Sequence, residues 1–350
     1  MRVPHAFNPL GKSPGAKFFE LVVKPGILAA DMTYGFTPYW NAGGYCSVDW
    51  GDGSKENAVR SATALKHTYT EAGTYKIKII ADCYRMILST TGPKIVSYSS
   101  DAFHLLGDLT DGGQMFYGCT NAELPLTSLP TNLTNGRYMF YSCKNAKLSI
   151  TKLPDGLTDG NTMFYGCTNA ELPLTSLPTS LKGGFSMFNS CTNALLPLSC
   201  LPTGLTNGSY MFSGCTNAEL PLTSLLTNLT NGAYMFNGCK NAKLAITKLP
   251  DGLTDGNTMF YGCTNAELPL TSLPTNLTNG RYMFYGCANA EINLDTLAAN
   301  APAEGWTKLT DISYMFRGCN KVTGSRSAFL AKCPNVTNAT NAFSGTNTTE

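Results

Sequence analysis

The chain has 350 residues, a length typical of two or three domains rather than of one compact core. Its formal net charge is +2 and only 14% of its residues are charged, which argues against a nucleic-acid-binding protein, because that class needs a strongly basic face. No apolar run approaches the roughly 20 residues that a membrane-spanning helix needs, so no membrane insertion is expected.

Residues 1–17 are predicted to form an N-terminal tail. Their start contains no apolar segment of the kind found in signal peptides. We therefore expect either that a signal lies outside this chain or that the protein leaves the cell by another route, for instance on a virus particle.

A module of short β-strands is predicted at residues 18–88. Residues 19–23, 45–50 and 75–79 read as strands, because β-branched and aromatic residues recur in them and the last two alternate. The tight turn Gly51-Asp52-Gly53 follows the second of these strands. Short strands separated by turns are typical of a β-sandwich.

Three motifs give this module a family resemblance. They are Val-Asp-Trp-Gly-Asp-Gly at 48–53, His-Thr-Tyr at 67–69 and Gly-Thr-Tyr at 73–75. Together they resemble the polycystic-kidney-disease (PKD) domain pattern over about 70 residues. The resemblance implies an immunoglobulin-like β-sandwich, usually a spacer or carbohydrate-associated module outside cells.

Two chemical questions about this module stay open in the sequence. Cys46 and Cys83 both lie on predicted strands, where a disulfide is possible but not required. Asp49 and Asp52 are either calcium ligands or turn residues that bond their own backbone, and the second reading is preferred.

After a predicted linker and N-terminal cap at residues 89–114, a tandem repeat occupies residues 115–292. Its Met-Phe pair recurs every 24 residues from Met115 to Met283, and a cysteine follows each pair in the same register. A period between 20 and 29 residues with an L-x-L segment is typical of a leucine-rich solenoid. Residues 293–345 are predicted to be irregular repeats with a C-terminal cap, and residues 346–350 a disordered tail.

One repeat unit predicts the shape of a coil. Leu124 and Leu126 are two residues apart and would share one face of a strand, whereas Pro125 between them has no N–H to donate. The segment is therefore predicted to be a very short strand or an extended segment with incomplete pairing. Met139 and Phe140 are expected to begin a short helical turn that closes the coil.

Two further columns of the repeat are predicted to belong to the scaffold. The cysteines from Cys119 to Cys287 are expected to be small buried thiols rather than disulfides, because stacked coils hold parallel side chains too far apart. The asparagines from Asn121 to Asn289 are expected to form a buried ladder that caps backbone groups. The sequence has no C-x-x-C pair and three scattered histidines, so a zinc site is not expected.

The repeat also resembles a known family. Residues 129–150 read L-P-x-x-L-T…M-F-x-x-C-x-N-A-x-L-x-I, which is similar to the BspA-like leucine-rich surface-protein repeat. The resemblance extends from about residue 100 to 345 and implies a bacterial, protozoan or phage surface protein used in attachment. This chain departs from the family in using Met before the Phe and Pro within the L-x-L segment. The predicted fold is thus mainly β, with an immunoglobulin-like sandwich before a solenoid of short strands and short helical turns.

No catalytic site is predicted. The sequence has no Gly-rich phosphate loop, no H-E-x-x-H and no G-x-S-x-G motif, and no histidine lies within the regular repeats. A repeated residue also occupies many equivalent environments, whereas a catalytic residue needs a single special one. We therefore expect a protein that is not an enzyme and that has no cofactor or metal.

The columns that vary between copies are the candidate binding surface, because invariant columns are expected to form the core. The variable positions flank each Met-Phe pair and favour Tyr and Arg, which provide large contact areas in recognition surfaces. The alternative is that these tyrosines only cover Met and Phe at the edge of the coil. The candidate binding residues are Tyr117, Arg137, Tyr138, Tyr141, Tyr165, Tyr210, Tyr234, Tyr261, Arg281, Tyr282, Tyr285 and Arg317.

A second variable column lies on the L-x-L side and is interpreted as structural and solubilising. It contains Glu123, Lys147, Glu171, Leu195, Glu219, Lys243, Glu267 and Glu291. The expected function is adhesion or receptor recognition by an extracellular, cell-surface or virion-surface protein, with a host or bacterial surface protein or glycan as partner. The alternatives are a structural stalk or assembly element without a specific ligand, including a phage tail component, and an immune-evasion decoy.

Overall fold

A computed structural model of the protein describes most of the chain, and the predicted tail at residues 1–17 lies outside the described residues. Within the described part the protein is mainly β, with eight strands and two short helices. The described residues are 19–24, 32–40, 42–59, 63–88, 95–98, 108–122, 124, 126–146, 148–225 and 228–350.

The strands all belong to the N-terminal module, where they form two antiparallel sheets. The first sheet contains β1 (Phe19–Val23), β3 (Cys46–Asp49), β4 (Lys55–Val59), β6 (Tyr75–Ala81) and β8 (Ile95–Tyr98), in the order β4-β3-β6-β1-β8. The second contains β2 (Thr33–Tyr39), β5 (Leu65–Thr68) and β7 (Arg85–Ile87), in the order β5-β2-β7. Alternate residues of β6 are buried, as expected for a strand with one face inward.

Aromatic side chains join the two sheets. The ring of Phe36 on β2 lies 5.7 Å from that of Trp50, which follows β3, and both residues are buried. The buried Tyr34 donates a hydrogen bond through its hydroxyl to the carbonyl of Leu88 at 2.6 Å, and Tyr69 donates to the carbonyl of Trp50 at 3.0 Å. Each large ring is therefore buried with its hydroxyl satisfied.

The region predicted as a linker and cap is divided differently in the structure. Residues 95–98 are not linker but strand β8, which pairs with β1 because that edge of the sheet is otherwise open. The contact with the first coil comes instead from β7 and the residues beside it. Arg85 forms a parallel bridge with Asp111, and the N–H of Leu88 donates to the carbonyl of Met115 at 2.9 Å.

A column of isolated β-bridges continues from β7 through the solenoid. It joins Arg85 to Asp111, Asn135, Asp159, Gly183, Asn207, Asn231, Asp255, Asn279, Asp311 and Asn338 in turn. The residue after the bridge is Gly in most coils, and the reason is steric. A Cβ on Gly136 would lie 2.8 Å from Sδ of Met163, so the methionine of the next coil fills that space.

The L-x-L segment is not a strand in the described coils. Where Pro173 lies between the leucines, Leu172 has a left-handed φ of 43° and Leu174 donates to its carbonyl at 2.7 Å, forming a three-residue turn. Where Ser149 replaces the proline, its N–H donates to Leu126 of the preceding coil at 3.1 Å. The proline thus interrupts pairing between coils, as the second predicted arrangement expected, but the segment is a turn and not extended.

The core of the solenoid is a stack of identical side chains. Successive Phe rings lie parallel with centroids 5.4–5.6 Å apart from Phe116 to Phe316, and the methionines before them are fully buried. Each repeat cysteine from Cys143 on donates through Sγ to the carbonyl of the Phe one coil earlier, as Cys143 does to Phe116 at 3.0 Å. All 13 cysteines are free thiols, as predicted for the repeat column, and Cys46 and Cys83 are free as well.

The asparagine column differs from its prediction, because it is exposed rather than buried. Asn145 donates through Nδ2 to Oδ1 of Asn121 at 2.8 Å, and Asn169 donates to Asn145 at 2.7 Å. An amide carries both donors and an acceptor, so identical amides one coil apart satisfy each other without burial. The column is a surface ladder of side-chain hydrogen bonds.

The last coils contain the two helices. Helix α1 (Leu294–Ala299) begins after Asn293, whose side chain accepts from the N–H of Thr296, and α2 (Arg326–Leu330) begins after Ser325. The first helix lies within the 32-residue interval that replaces the regular period. Beside them Trp306 is buried and donates to the carbonyl of Leu273 at 3.2 Å.

The final residues, 346–350, were predicted to be disordered, and the structure corrects this. The N–H of Asn347 donates to the carbonyl of Val322 at 3.0 Å, and Thr349 pairs with Ser325 in a parallel bridge. These residues continue the coil-to-coil hydrogen bonds, so they have backbone partners in the preceding coil.

Candidate binding edge

The turn around each Met-Phe pair brings the two flanking residues to the surface. In the second coil Tyr138 has a left-handed φ of 58° and Ser142 a φ of 56°, so the backbone reverses on both sides of the pair. Met139 and Phe140 are therefore fully buried, whereas the tyrosines that flank them are partly exposed. We call the surface formed by the flanking residues of all coils the tyrosine edge.

Tyrosines of neighbouring coils stack face to face along this edge. Tyr117, Tyr141 and Tyr165 form a column with centroid distances of 4.8 and 4.9 Å and interplanar angles of 4° and 7°. Tyr261 and Tyr285 repeat the arrangement at 4.7 Å. Further stacked pairs occur in the column before Met-Phe, and they are Tyr210 with Tyr234 at 4.6 Å and Tyr282 with Tyr314 at 4.7 Å.

Three arginines lie over these rings. Cζ of Arg137 lies 5.1 Å from the ring centroid of Tyr138, and Arg281 lies at the same distance from Tyr282. Arg317 lies over both Tyr285 and Tyr314, at 5.8 and 5.5 Å. Each of these distances is within the roughly 6 Å at which a cation is attracted to an aromatic ring.

Most of the predicted residues, together with Tyr314, thus lie in two clusters near the two ends of the edge. Cluster A consists of Tyr117, Arg137, Tyr138, Tyr141 and Tyr165. Cluster B consists of Tyr261, Arg281, Tyr282, Tyr285, Tyr314 and Arg317. Between them Tyr210 and Tyr234 form a separate stacked pair.

The coils between the clusters have a different surface. Asn189, Ser213 and Asn237 replace tyrosine after Met-Phe, and Asn237 donates to the hydroxyl of Ser213 at 3.3 Å. Phe185 is 41% exposed and contacts Tyr210 edge to face.

The candidate list predicted from the sequence lacked two residues of this edge, Tyr314 and Phe185. Tyr314 directly precedes Met315-Phe316 and shares its column with Tyr138 and Tyr282. Phe185 lies two residues before Met187, in the column of Arg137 and Arg281, and is apolar.

The tyrosines of the edge differ in exposure. Tyr117 is 43% and Tyr261 36% exposed, whereas Tyr138, Tyr141 and Tyr165 are half-buried against their neighbours. Burial, followed by the charges of the neighbouring tyrosines, raises the pKa of Tyr141, and burial also raises that of Tyr210. These phenols therefore stay protonated and available as hydrogen-bond donors at neutral pH.

The side of the coils that carries the L-x-L segments holds charges and shallow grooves. Lys243 pairs with Glu219 at 3.4 Å across adjacent coils, and Lys321 pairs with Glu291 at 3.1 Å. Glu123 and Lys147 of the predicted column lie outside the described residues, and Leu195 is 49% exposed. Exposed ion pairs of this kind contribute only about 0–1 kcal/mol each, in keeping with a solubilising surface.

Two equivalent grooves on the solenoid are lined by a Lys-Leu-Pro-Asp segment. A cavity of about 340 Å³ lies beside residues 248–251, and one of about 220 Å³ beside residues 152–155. In each groove the lysine forms an ion pair with the aspartate, Lys248 with Asp251 and Lys152 with Asp155, at 3.0 Å.

The aspartates of the N-terminal turn have protein partners. Asp49 accepts from the N–H of Gly51 at 3.0 Å and pairs with Lys55 at 3.2 Å. Asp52 accepts from the N–H of Ser54 at 2.9 Å and contacts His67 at 2.6 Å. These are the contacts of turn residues that bond their own backbone, and they occupy the carboxylates that a calcium ion would need.

No group of three His, Cys, Asp or Glu side chains in the described part of the chain could hold a metal ion. No helix among these residues is long and apolar enough to cross a membrane.

Comparison with known sequence families gives one match. The family described as the BspA type leucine-rich repeat region matches residues 112–217, 201–323 and 232–347, in six copies. Comparisons of the chain with curated proteins and with solved structures find no match.

Proposed function

Because the chain belongs to the BspA type leucine-rich repeat family, which matches most of its length, we propose that it is a non-enzymatic surface protein that mediates adhesion or receptor recognition. Proteins with such repeats are often surface-associated. The partner proposed is a host or bacterial surface protein or glycan, and the location is extracellular, on a cell or on a virion.

The tyrosine edge is the proposed contact surface. The observation that carries this proposal is the grouping of the variable columns: the residues that differ between coils are also those where Tyr and Arg cluster at the surface. A uniform core of stacked Phe, Met and Cys holds these side chains at fixed spacing. Rigid aromatic side chains bind with little loss of conformational entropy, which suits a recognition surface.

The N-terminal module is proposed to be a PKD-like, immunoglobulin-type spacer. Support comes from its two antiparallel sheets, from Trp50 in the core between them and from the bonded turn at Asp49 and Asp52. Its pairing with the first coil through Arg85 and Asp111 also closes that end of the solenoid. On this proposal the module presents the solenoid and does not bind the partner.

Replacing Tyr141, Tyr165 and Tyr285 by Ser tests the proposed contact surface. We expect binding to host or bacterial cells, or to a glycan array, to fall at least tenfold, because buried aromatic anchors contribute about 2 kcal/mol or more each. The matched control replaces Lys152 and Lys248 by Ser, which neighbouring coils carry at these positions, and leaves binding unchanged.

Circular dichroism and urea unfolding of the triple variant check that the fold persists. Unchanged binding by a folded triple variant contradicts the proposed contact surface. A wild-type protein that binds no cell and no glycan favours the alternative, a structural stalk or virion assembly element without a specific ligand. Repeat numbers that differ between sister strains would instead favour a decoy surface protein.

A further inference from the structure

The two clusters of the tyrosine edge are copies of one another. Residues 115–141 and 259–285 are identical at all 27 positions, so each residue of cluster A from Tyr117 to Tyr141 has its equivalent 144 residues later. That interval is six 24-residue coils. With coils about 4.8 Å apart, the clusters are separated by roughly 29 Å along the solenoid.

The stacking decides which part of each ring a partner can reach. Tyr141 has Tyr117 on one face and Tyr165 on the other, so only the edge of its ring is exposed. In cluster B, the ring of Tyr261 stacks on Tyr285, and Cζ of Arg317 lies 5.8 Å from the centroid of the Tyr285 ring. The edge of an aromatic ring is the positive part of its quadrupole, whereas its face is negative. The clusters therefore favour an electron-rich ligand.

The arginines add positive charge to the same surface. Among the described residues no carboxylate forms an ion pair with Arg137, Arg281 or Arg317, and their contacts are with tyrosine rings. Asp159, the acidic neighbour of Arg137, uses one oxygen to accept from the N–H of Asn161. A guanidinium presents its N–H groups in a planar fork that fits a carboxylate or sulfate.

From these observations we infer that clusters A and B bind one linear acidic polysaccharide at two points. This inference rests on the proposed function and names its ligand class. The tyrosine hydroxyls donate to and accept from sugar hydroxyls, and the guanidiniums bind the carboxylates or sulfates. A polymer with regularly repeated acidic groups can contact both clusters at once, and the solenoid fixes the distance between the clusters.

Substitutions that copy residues from equivalent positions in other coils remove one cluster at a time, with little risk to the fold. Changing Arg137 to Asn, Tyr138 to Thr and Tyr141 to Asn introduces the residues found at 161, 162 and 189 in equivalent positions. Thr162 has a φ of 60°, so threonine tolerates the left-handed backbone of Tyr138. The corresponding changes in cluster B are Arg281→Asn, Tyr282→Thr and Tyr285→Asn.

The first measurement is calorimetry with a short galacturonate oligomer too small to span both clusters. We expect two molecules bound per wild-type protein, one in either single-cluster variant and none when both clusters are changed. Two bound molecules in a single-cluster variant would overturn the assignment of the sites.

The second measurement uses immobilised polygalacturonate and dextran sulfate, with neutral dextran and poly-L-glutamate as comparisons. Two-point binding raises apparent affinity by about 10²–10⁴ over one-point binding, so each single-cluster variant should bind the preferred polymer at least tenfold more weakly. The two acidic polymers show whether carboxylate or sulfate is preferred. The Lys152→Ser and Lys248→Ser variant removes two cations from another surface, one more than a single-cluster variant removes, and should bind as the wild type does.

Three results overturn the inference. A single-cluster variant that loses half of its binding capacity but no affinity shows that the clusters act independently. Equal binding of neutral dextran or of poly-L-glutamate shows that acidic polysaccharide is not selected. A wild-type protein that binds neither acidic polymer excludes the ligand class, and the proposed function then survives only if the tyrosine triple variant still loses binding to cells.

Discussion

Replacing Ser190 by Gly should stabilise the protein, although Ser190 lies at the surface and fills no cavity. Ser190 and Ser142 have left-handed φ values of 62° and 56°. This conformation destabilises a residue other than Gly by about 1–2 kcal/mol. Replacement by glycine removes that strain, but the greater conformational freedom of glycine in the unfolded chain offsets about 0.4–1 kcal/mol of the gain. The other coils have glycine in this column, at Gly118, Gly166, Gly214, Gly238, Gly262, Gly286, Gly318 and Gly345.

The net gain is therefore about 0.5–1 kcal/mol for each serine replaced. Ser190 also donates to Oδ1 of Asn189 at 2.8 Å, but this bond is partly exposed and water can replace it. The two serines are two coils apart, so their effects should add, giving about 1–2 kcal/mol for the double variant. The opposite change, Gly166→Ala, should cost about 0.5–1 kcal/mol by the same balance of strain and chain entropy, because the nearest atom to its new Cβ is 3.6 Å away and adds no steric clash.

Urea unfolding measures these changes as shifts of the midpoint at constant slope. The control is Ser176→Gly, an exposed serine in the neighbouring coil whose φ is not left-handed, and it should lose up to about 1 kcal/mol. If Ser190→Gly lowers the midpoint as Ser176→Gly does, the left-handed turn after Met-Phe is refuted.

Two further predictions concern cysteine reactivity and acid stability. In the folded protein a thiol reagent at pH 8 should modify Cys200 alone, because the other cysteines are buried and burial raises the pKa of thiols such as Cys215 to about 12. A second cysteine that reacts before unfolding would contradict the buried column. Burial acts to raise the pKa of Asp52, but hydrogen bonds from Ser54 and His67 outweigh it, and the pKa is lowered. The stabilisation is therefore complete above the unfolded pKa near 4 and is lost as pH falls through the lower folded value. Asp52→Asn should accordingly lower the urea midpoint at pH 7 and progressively less as pH approaches 3, and a pH-independent difference would contradict this.

The solenoid could be predicted because both its period and the residues of its core can be identified in the sequence. Met139, Phe140 and Cys143 recur with the coil, and a residue that recurs every 24 positions contacts its own copies when coils stack. The position of the tyrosines followed from the same register. Their face-to-face stacking and the arginines over them did not, because side-chain rotamers depend on neighbours in the next coil.

The failed predictions share a physical cause. The asparagine column was expected to be buried, since nothing in one coil shows that Asn145 can bond to Asn121 of the coil before it. Residues 95–98 and 346–350 carry no period that reveals the sheet edge or the coil that pairs with them. In each case the partner of a polar group lies in another coil or strand, and local sequence does not specify it.

The column of bridges that joins β7 to the last coil has a mechanical consequence. Each coil contains 24 residues and occupies about 4.8 Å along the solenoid axis. The same 24 residues span about 80 Å when they are fully extended. A pulling force on the last coil peels off one coil at a time, because each coil contacts only its neighbours. A molecule held at its N-terminal module can thus lengthen in regular steps of one coil and dissipate a sudden load, while the coils nearest the anchor keep their shape.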